Sequence, residues 1–324
     1  MSYSFVEKEI IIKGQFELGT TITVPKDNGT KYPAVLLVSG SGEIDRDGNA
    51  PKLKLNMNLY NRLSDFFAGM GFVTLRYDKR GIGKSGGSHI KAGLLELVDD
   101  LNSAVCYLRQ QEFVDKNQII ICGHSEGCIA TTIYSQQNSV TGLILIAGAG
   151  MSMLGCLKYQ NYLVLQQIKH MKGFKGWLYN RLVNENNYMN NIINMFHKAC
   201  KTNKDVIRIQ GMKIPAKWAR EHAQYSEKIL TDILASAEFP ILAVTGEDDI
   251  QAPPEDISRL ASLHKDHLTS VQIPHMSHVL RVCDGKYDML AIAKHYKKDL
   301  VKPLHPELLD TIEHWVTTNF KKEP

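Results

Sequence analysis

The sequence predicts an α/β protein: a mostly parallel central sheet flanked by helices, interrupted late by a helical insertion. Three observations carry this. Short apolar runs such as "PAVLLVSG", "QIIICGH", "GLILIAGAG" and "PILAVTG" alternate with longer stretches of helical spacing, the pattern of buried parallel strands joined by helices. Several of these runs end on glycine, where a strand turns into a loop. With 324 residues, 44% of them hydrophobic and 22% charged, the chain has the composition of a soluble globular protein with a sizeable core.

The elements follow in order. "KEIIIKGQFELGTTITVPKDNG" reads as two β-rich stretches around Gly14, antiparallel and closed by a Pro/Asn/Gly turn. "YPAVLLVSGSG" is an almost wholly apolar strand running into glycines. "MNLYNRLSDFFAGMG" has helical spacing and stops at Gly71. "FVTLRYDKRGIGKSGG" is a strand and a Gly-rich turn, with helical spacing from about Gly93 to Gln111. Strand "QIIICGHSEG", a helix from about Cys128 and strand "GLILIAGAG" complete residues 1–150, the first part of the core. Residues 151–237 break the rhythm. They are rich in Asn, Lys, Met and Tyr, show no convincing strand, and read as a helical cap whose Met, Leu, Tyr and Trp residues suit an apolar pocket lining or the cap's own core. Strand "PILAVTGEDD", a helix near Pro254–Leu263, strand "LTSVQI" and a final helix over about Pro306–Phe320 make residues 238–324 the second part of the core.

A formal charge of +4 gives no reason to expect nucleic acid or an anionic membrane as partner. The apolar runs are too short to span a bilayer, and no secretion signal is visible, so a cytoplasmic location is expected. Six scattered cysteines without a C-x-x-C pair argue against a zinc site or a disulfide framework and suit a reducing compartment.

"GHSEG" places Ser125 in a G-x-S-x-G setting directly after a β-branched apolar run. A sharp strand-to-helix turn there exposes the serine Oγ, and small residues two positions away on either side avoid clashes. "GIGKSGG" imitates the end of a phosphate-binding loop, but Asp78 stands where its leading glycine would have to be, so the segment reads as a turn. "IPHMSHVL" offers two candidate bases, His275 and His278, and "GEDDIQAPP" offers Glu247, Asp248 and Asp249 as the acid.

Four segments in order, "VSGSGEIDRDGN", "RYDKRGIGKSGG", "GHSEG" and "GEDDIQAPP" followed by "HMSH", resemble the α/β-hydrolase superfamily over nearly the whole chain. The first looks like the oxyanion loop of its cytosolic esterases and serine-aminopeptidase-like members, with Ser39 for the usual His and Glu43 for the usual Pro. The resemblance implies Ser125 as nucleophile, Asp249 as acid (three residues past Gly246, just before Pro253) and His278 as base, just before Val279–Leu280. It assigns the oxyanion-hole N–H groups to Ser41 and Glu126. Glu43 would oppose the chemistry there unless turned away, and Arg46 of "DRDG" is expected to hold the loop through an Asp–Arg pair.

A serine at the elbow, in place of the Asp of dehalogenases and epoxide hydrolases, leaves acyl transfer through a serine ester. The expected activity is hydrolysis of small to medium carboxylic esters, without cofactor or metal. An aminopeptidase or amidase, a thioesterase or acyltransferase, and a non-catalytic binding protein are the alternatives. A peptidase needs an anchor for the substrate amine, such as Glu185 or Glu221 in the cap.

Overall fold

Residues 3–26, 31–182, 185–285 and 287–320 are described by a computed structural model. Strands β1 (Phe5–Lys13) and β2 (Glu17–Pro25) form the expected antiparallel pair. Then follow β3 (Tyr32–Val38), α1 (Leu59–Gly69), β4 (Val73–Tyr77), α2 (Leu94–Gln110), β5 (Val114–His124), α3 (Glu126–Gln137) and β6 (Gly142–Ile146). The next stretch holds α4 (Met153–His170), α5 (Gly173–Leu182), α6 (Glu185–Cys200), β7 (Val206–Ile209), β8 (Met212–Pro215), α7 (Ala216–His222) and α8 (Glu227–Ala235). The chain closes with β9 (Ile241–Gly246), α9 (Glu255–Ala261), β10 (Leu268–Ile273), α10 (Ile292–Asp299) and α11 (Pro306–Asn319).

Eight strands build one sheet in the order β1-β2-β4-β3-β5-β6-β9-β10. Only the pairings of β2 are antiparallel. Helices cover both faces, which is why the inner strands read as unbroken apolar runs. Leu36, Ile121 and Leu143 point to the face covered by α2, α3 and α9, while Val35, Ile120 and Ile144 face α1 and α11. Gly142 also marks a close approach, because a Cβ there would lie 2.6 Å from the Phe320 ring.

Two features depart from the sequence expectation. The insertion, read as wholly helical, contains the antiparallel pair β7–β8, joined by Gln210 and Gly211 at φ 50° and 83°. Two consecutive positive φ values are the twist-matched hairpin geometry. Strands of four residues flanked by Lys and Asp are too short for alternation to stand out. Helix α10 is the second departure, its apolar residues outnumbered by lysines and an aspartate so that no helical stripe stands out in the sequence. Among the described residues no helix is long and apolar enough to cross a membrane.

The loops that matter leave the carboxyl ends of β3, β4, β5, β9 and β10, on one edge of the sheet, where open α/β sheets place their ligand crevice.

Candidate active site

Ser125 links β5 to α3 with φ 55° and ψ −123°, a conformation that side chains other than glycine avoid. Holding it costs on the order of 1–3 kcal/mol, supplied by the surroundings. Its N–H donates to the Ile146 carbonyl at 2.9 Å, and its carbonyl accepts from Cys128 N–H at 2.9 Å. The flanking glycines are spatial necessities: a Cβ on Gly127 would lie 2.3 Å from the Val38 oxygen, and one on Gly123 2.7 Å from the Gly127 oxygen. Because the turn residue is Ser125 itself, α3 starts at Glu126, two residues before the expected Cys128.

Asp249 follows β9 and is fully buried. Its Oδ1 accepts from the N–H groups of Gln251 (2.7 Å) and Ala252 (3.0 Å), and its Oδ2 lies 2.8 Å from His278 Nδ1. His278 comes from a tight loop after β10 that is tied down by Arg281. The buried Arg281 guanidinium donates to the carbonyls of Val279 (2.6 Å), Met57 (2.6 Å) and Lys302 (3.2 Å). Burial brings its pKa down to about 10. His275 stands apart, with 70% of its side chain exposed and Nδ1 3.5 Å from Asp248. Ser125 and His278 line one cavity, and His275 is not in its wall.

A buried relay ties three loops of the site together. Gly40 N–H donates to the Tyr60 hydroxyl (2.8 Å), which lies 3.0 Å from His124 Nδ1, while His124 Nε2 lies 3.0 Å from the His278 carbonyl oxygen. A carbonyl can only accept, so Nε2 carries the proton. Burial, together with the nearby His278, pushes the His124 pKa down to about 3, so the ring is neutral. Nδ1 therefore accepts from Tyr60. Tyr60→Phe strands the Gly40 N–H and His124 Nδ1. The expected loss is roughly 2–6 kcal/mol, at about 1–3 kcal/mol for each buried orphan. A lowered urea midpoint at unchanged slope is the readout.

Ser41 N–H, in the loop after β3, and Glu126 N–H, at the start of α3, make no hydrogen bond within the chain among the described residues. On its carbonyl side this loop is held by Lys79, whose side-chain nitrogen donates to the Gly40 carbonyl at 2.5 Å. The Glu126 carboxylate is buried and absent from the cavity wall. Its Oε1 accepts from Trp218 Nε1 (2.5 Å) and His222 Nε2 (3.1 Å), and its Oε2 lies 3.9 Å from Lys79 Nζ. Burial alone would raise this carboxyl, but the His222 hydrogen bond and the Lys79 charge outweigh it and bring the pKa down to about 2. Glu43 does line the cavity, ion-paired with Lys52, whose hydrogen bond lowers its pKa. Arg46 holds the loop from outside. Its backbone N–H donates to Asp78 Oδ1 (2.8 Å) and its guanidinium bonds Glu9 (2.6 Å), so the Asp partner is Asp78 rather than a neighbour in the turn. Ser85 of the false phosphate loop donates to the Asp78 carbonyl at 2.6 Å, as a turn residue does.

The cavity encloses about 420 Å³. Leu55, Met57, Leu59, Val279, Ile292 and Tyr296 supply its apolar wall, and no described residue of 151–237 is in that wall. Met153, Phe196 and Leu230 of the insertion pack instead into a cluster of their own with Ile129 and Ile133. The insertion touches the site from its other side: through Trp218 and His222 on Glu126, and through Gln160, which donates to the Gln251 carbonyl at 2.8 Å. Glu221 accepts the Leu95 N–H at 2.8 Å and does not reach the cavity wall. The Glu185 side chain lies outside the described residues. Tyr60, Lys79, His124 and Arg281 escaped the sequence reading because nothing local marks them. Ile292 and Tyr296, four apart, were within reach of it.

A family model described as "Serine aminopeptidase, S33" matches residues 54–281. The esterase EstD of Thermotoga maritima is 31% identical over 144 residues, 44% of this chain. The match spans 32% of EstD, so the chain covers about a third of that curated relative's length. Among solved structures, Est1E of Butyrivibrio proteoclasticus with ferulic acid bound superposes at TM-score 0.57 and 17% identity, covering 94% of this chain and 99% of that one. The α/β hydrolase GrgF of Penicillium sp. sh18 gives 0.60 at 16% identity, covering 98% and 100%. At such identities the likeness shows the fold alone, and that fold is the α/β-hydrolase fold.

Proposed function

This chain belongs to the serine aminopeptidase, S33 family of α/β hydrolases, and from that premise we propose that it is a serine esterase cleaving small to medium carboxylic esters. Ser125 is the nucleophile, His278 the general base and Asp249 the acid. The observation that carries the reading is the 2.8 Å His278–Asp249 contact beside a strained serine, with Ser125 and His278 in the wall of one apolar cavity.

The buried Asp249 carboxylate accepts only, so the His278 proton sits on Nδ1 and the Nε2 lone pair is free for the Ser125 hydroxyl proton. As Oγ attacks the ester carbonyl, the new oxyanion is met by the Ser41 and Glu126 N–H groups. The alcohol leaves with the proton returned by His278, and water resolves the acyl-enzyme by the same route. A cavity near 420 Å³ with an apolar wall suits a modest acyl chain. Its lining carboxylate, Glu43, already pairs with Lys52. EstD, named an esterase, points the same way. Residues 151–237 act as the cap over this core, and the six free cysteines suit a cytoplasmic setting.

The test is a panel of p-nitrophenyl esters of rising chain length beside aminoacyl-arylamides. Turnover is expected to peak at short to medium acyl chains and to exceed amide turnover throughout. Faster amide than ester cleavage would replace the esterase reading with a peptidase.

A further inference from the structure

The Gly40–Ser41 peptide unit has two ends. Its N–H, on Ser41, is the oxyanion donor in the proposed mechanism, and its carbonyl, on Gly40, receives the Lys79 ammonium at 2.5 Å. Lys79 lies in the loop just after β4, is 4% exposed, and sits 3.9 Å from Glu126, whose own N–H is the second donor. One buried cation thus grips the peptide of one donor and the side chain of the other.

We propose that Lys79 is a positioning residue of the oxyanion hole, fixing the plane of the Gly40–Ser41 peptide and polarising its N–H. The inference rests on the serine-hydrolase reading above and goes beyond it. A charged donor on a carbonyl shifts electron density toward the oxygen and strengthens the N–H on the far side of the same amide, the cooperative effect seen in hydrogen-bonded chains. Charge-assisted bonds of this kind are about twice as strong as neutral ones. The Tyr60 hydroxyl holds the preceding amide, accepting Gly40 N–H at 2.8 Å, so the loop cannot easily rotate to present its carbonyl to the cavity. Glu126 has a matching structural reason to be buried: it neutralises Lys79 while Trp218 and His222 of α7 satisfy its other oxygen. Burial lowers the Lys79 pKa, and the Glu126 charge opposes that fall.

The experiment compares wild type, Lys79→Met, Glu126→Gln and the double variant Lys79→Met/Glu126→Gln on one p-nitrophenyl ester. Each is also titrated with a trifluoromethyl ketone, which forms a tetrahedral oxyanion on the serine. Removing a whole oxyanion donor costs about 10²–10³-fold in kcat, so losing the brace on one is expected to cost roughly 10- to 100-fold at little-changed KM. Ketone affinity should fall by a similar factor. The double variant removes both buried charges, keeping the question open if the single variant folds poorly. If it is slower, and binds the ketone more weakly, than Glu126→Gln alone, the Gly40 contact is what matters. A double variant that matches Glu126→Gln in kcat and ketone affinity would overturn the proposal, leaving Lys79 as a mere counter-ion for Glu126. An inactive wild type would instead sink the esterase reading itself.

Discussion

Ser125→Ala is expected to lower kcat on a short p-nitrophenyl ester by roughly 10⁶-fold while the fold survives, because serine-hydrolase triads act as a unit. The substitution removes only Oγ. The backbone bonds to Ile146 and Cys128 that hold the elbow do not involve the side chain, so the melting temperature should stay near wild type. His278→Ala should cost about as much. The sharp contrast is His275→Ala, which is expected to stay within about twofold, as exposed substitutions generally do. Its ring is 70% exposed and touches Asp248, not Asp249. Steady-state kinetics on the three variants, with thermal melts as a folding control, checks the assignment. The reverse ranking of the two histidines would move the base to the other side of Met276.

Asp249→Asn is expected to lower kcat by about 10⁴-fold with little loss of stability. The two backbone N–H groups of Gln251 and Ala252 need an oxygen at the Oδ1 position. The asparagine must therefore place its amide oxygen there and turn its NH₂ toward His278 Nδ1. That nitrogen becomes the acceptor, the proton moves to Nε2, and the ring can no longer take the Ser125 proton. Geometry is preserved and the tautomer is wrong. Asp249→Ala, by contrast, strands both N–H groups and should also destabilise the protein by a few kcal/mol. Kinetics paired with urea unfolding separates the two variants.

The strands and the elbow were legible because their signals are local. A fully buried parallel strand must be apolar throughout, and the Gly123 and Gly127 positions admit no Cβ. Asp249 and His278 were named from motif order, and the structure brings their side chains together at 2.8 Å. What stayed hidden depends on partners far away in sequence. Lys79 matters through Gly40, His124 through Tyr60 and the His278 carbonyl, and Arg281 through carbonyls as distant as Met57. None of these residues has a spacing rule. The origin of the cavity wall was hidden for the same reason. An apolar residue in the insertion reads alike whether it lines a pocket or packs against its neighbours, and Met153, Phe196 and Leu230 do the latter.

The most direct test of the central claim is mass-spectrometric mapping of the protein after treatment with a fluorophosphonate. A single adduct is expected on the peptide carrying Ser125, absent in Ser125→Ala and strongly slowed in His278→Ala. A wild-type protein that takes up no probe, or takes it up on another serine while Ser125→Ala labels equally well, would contradict it.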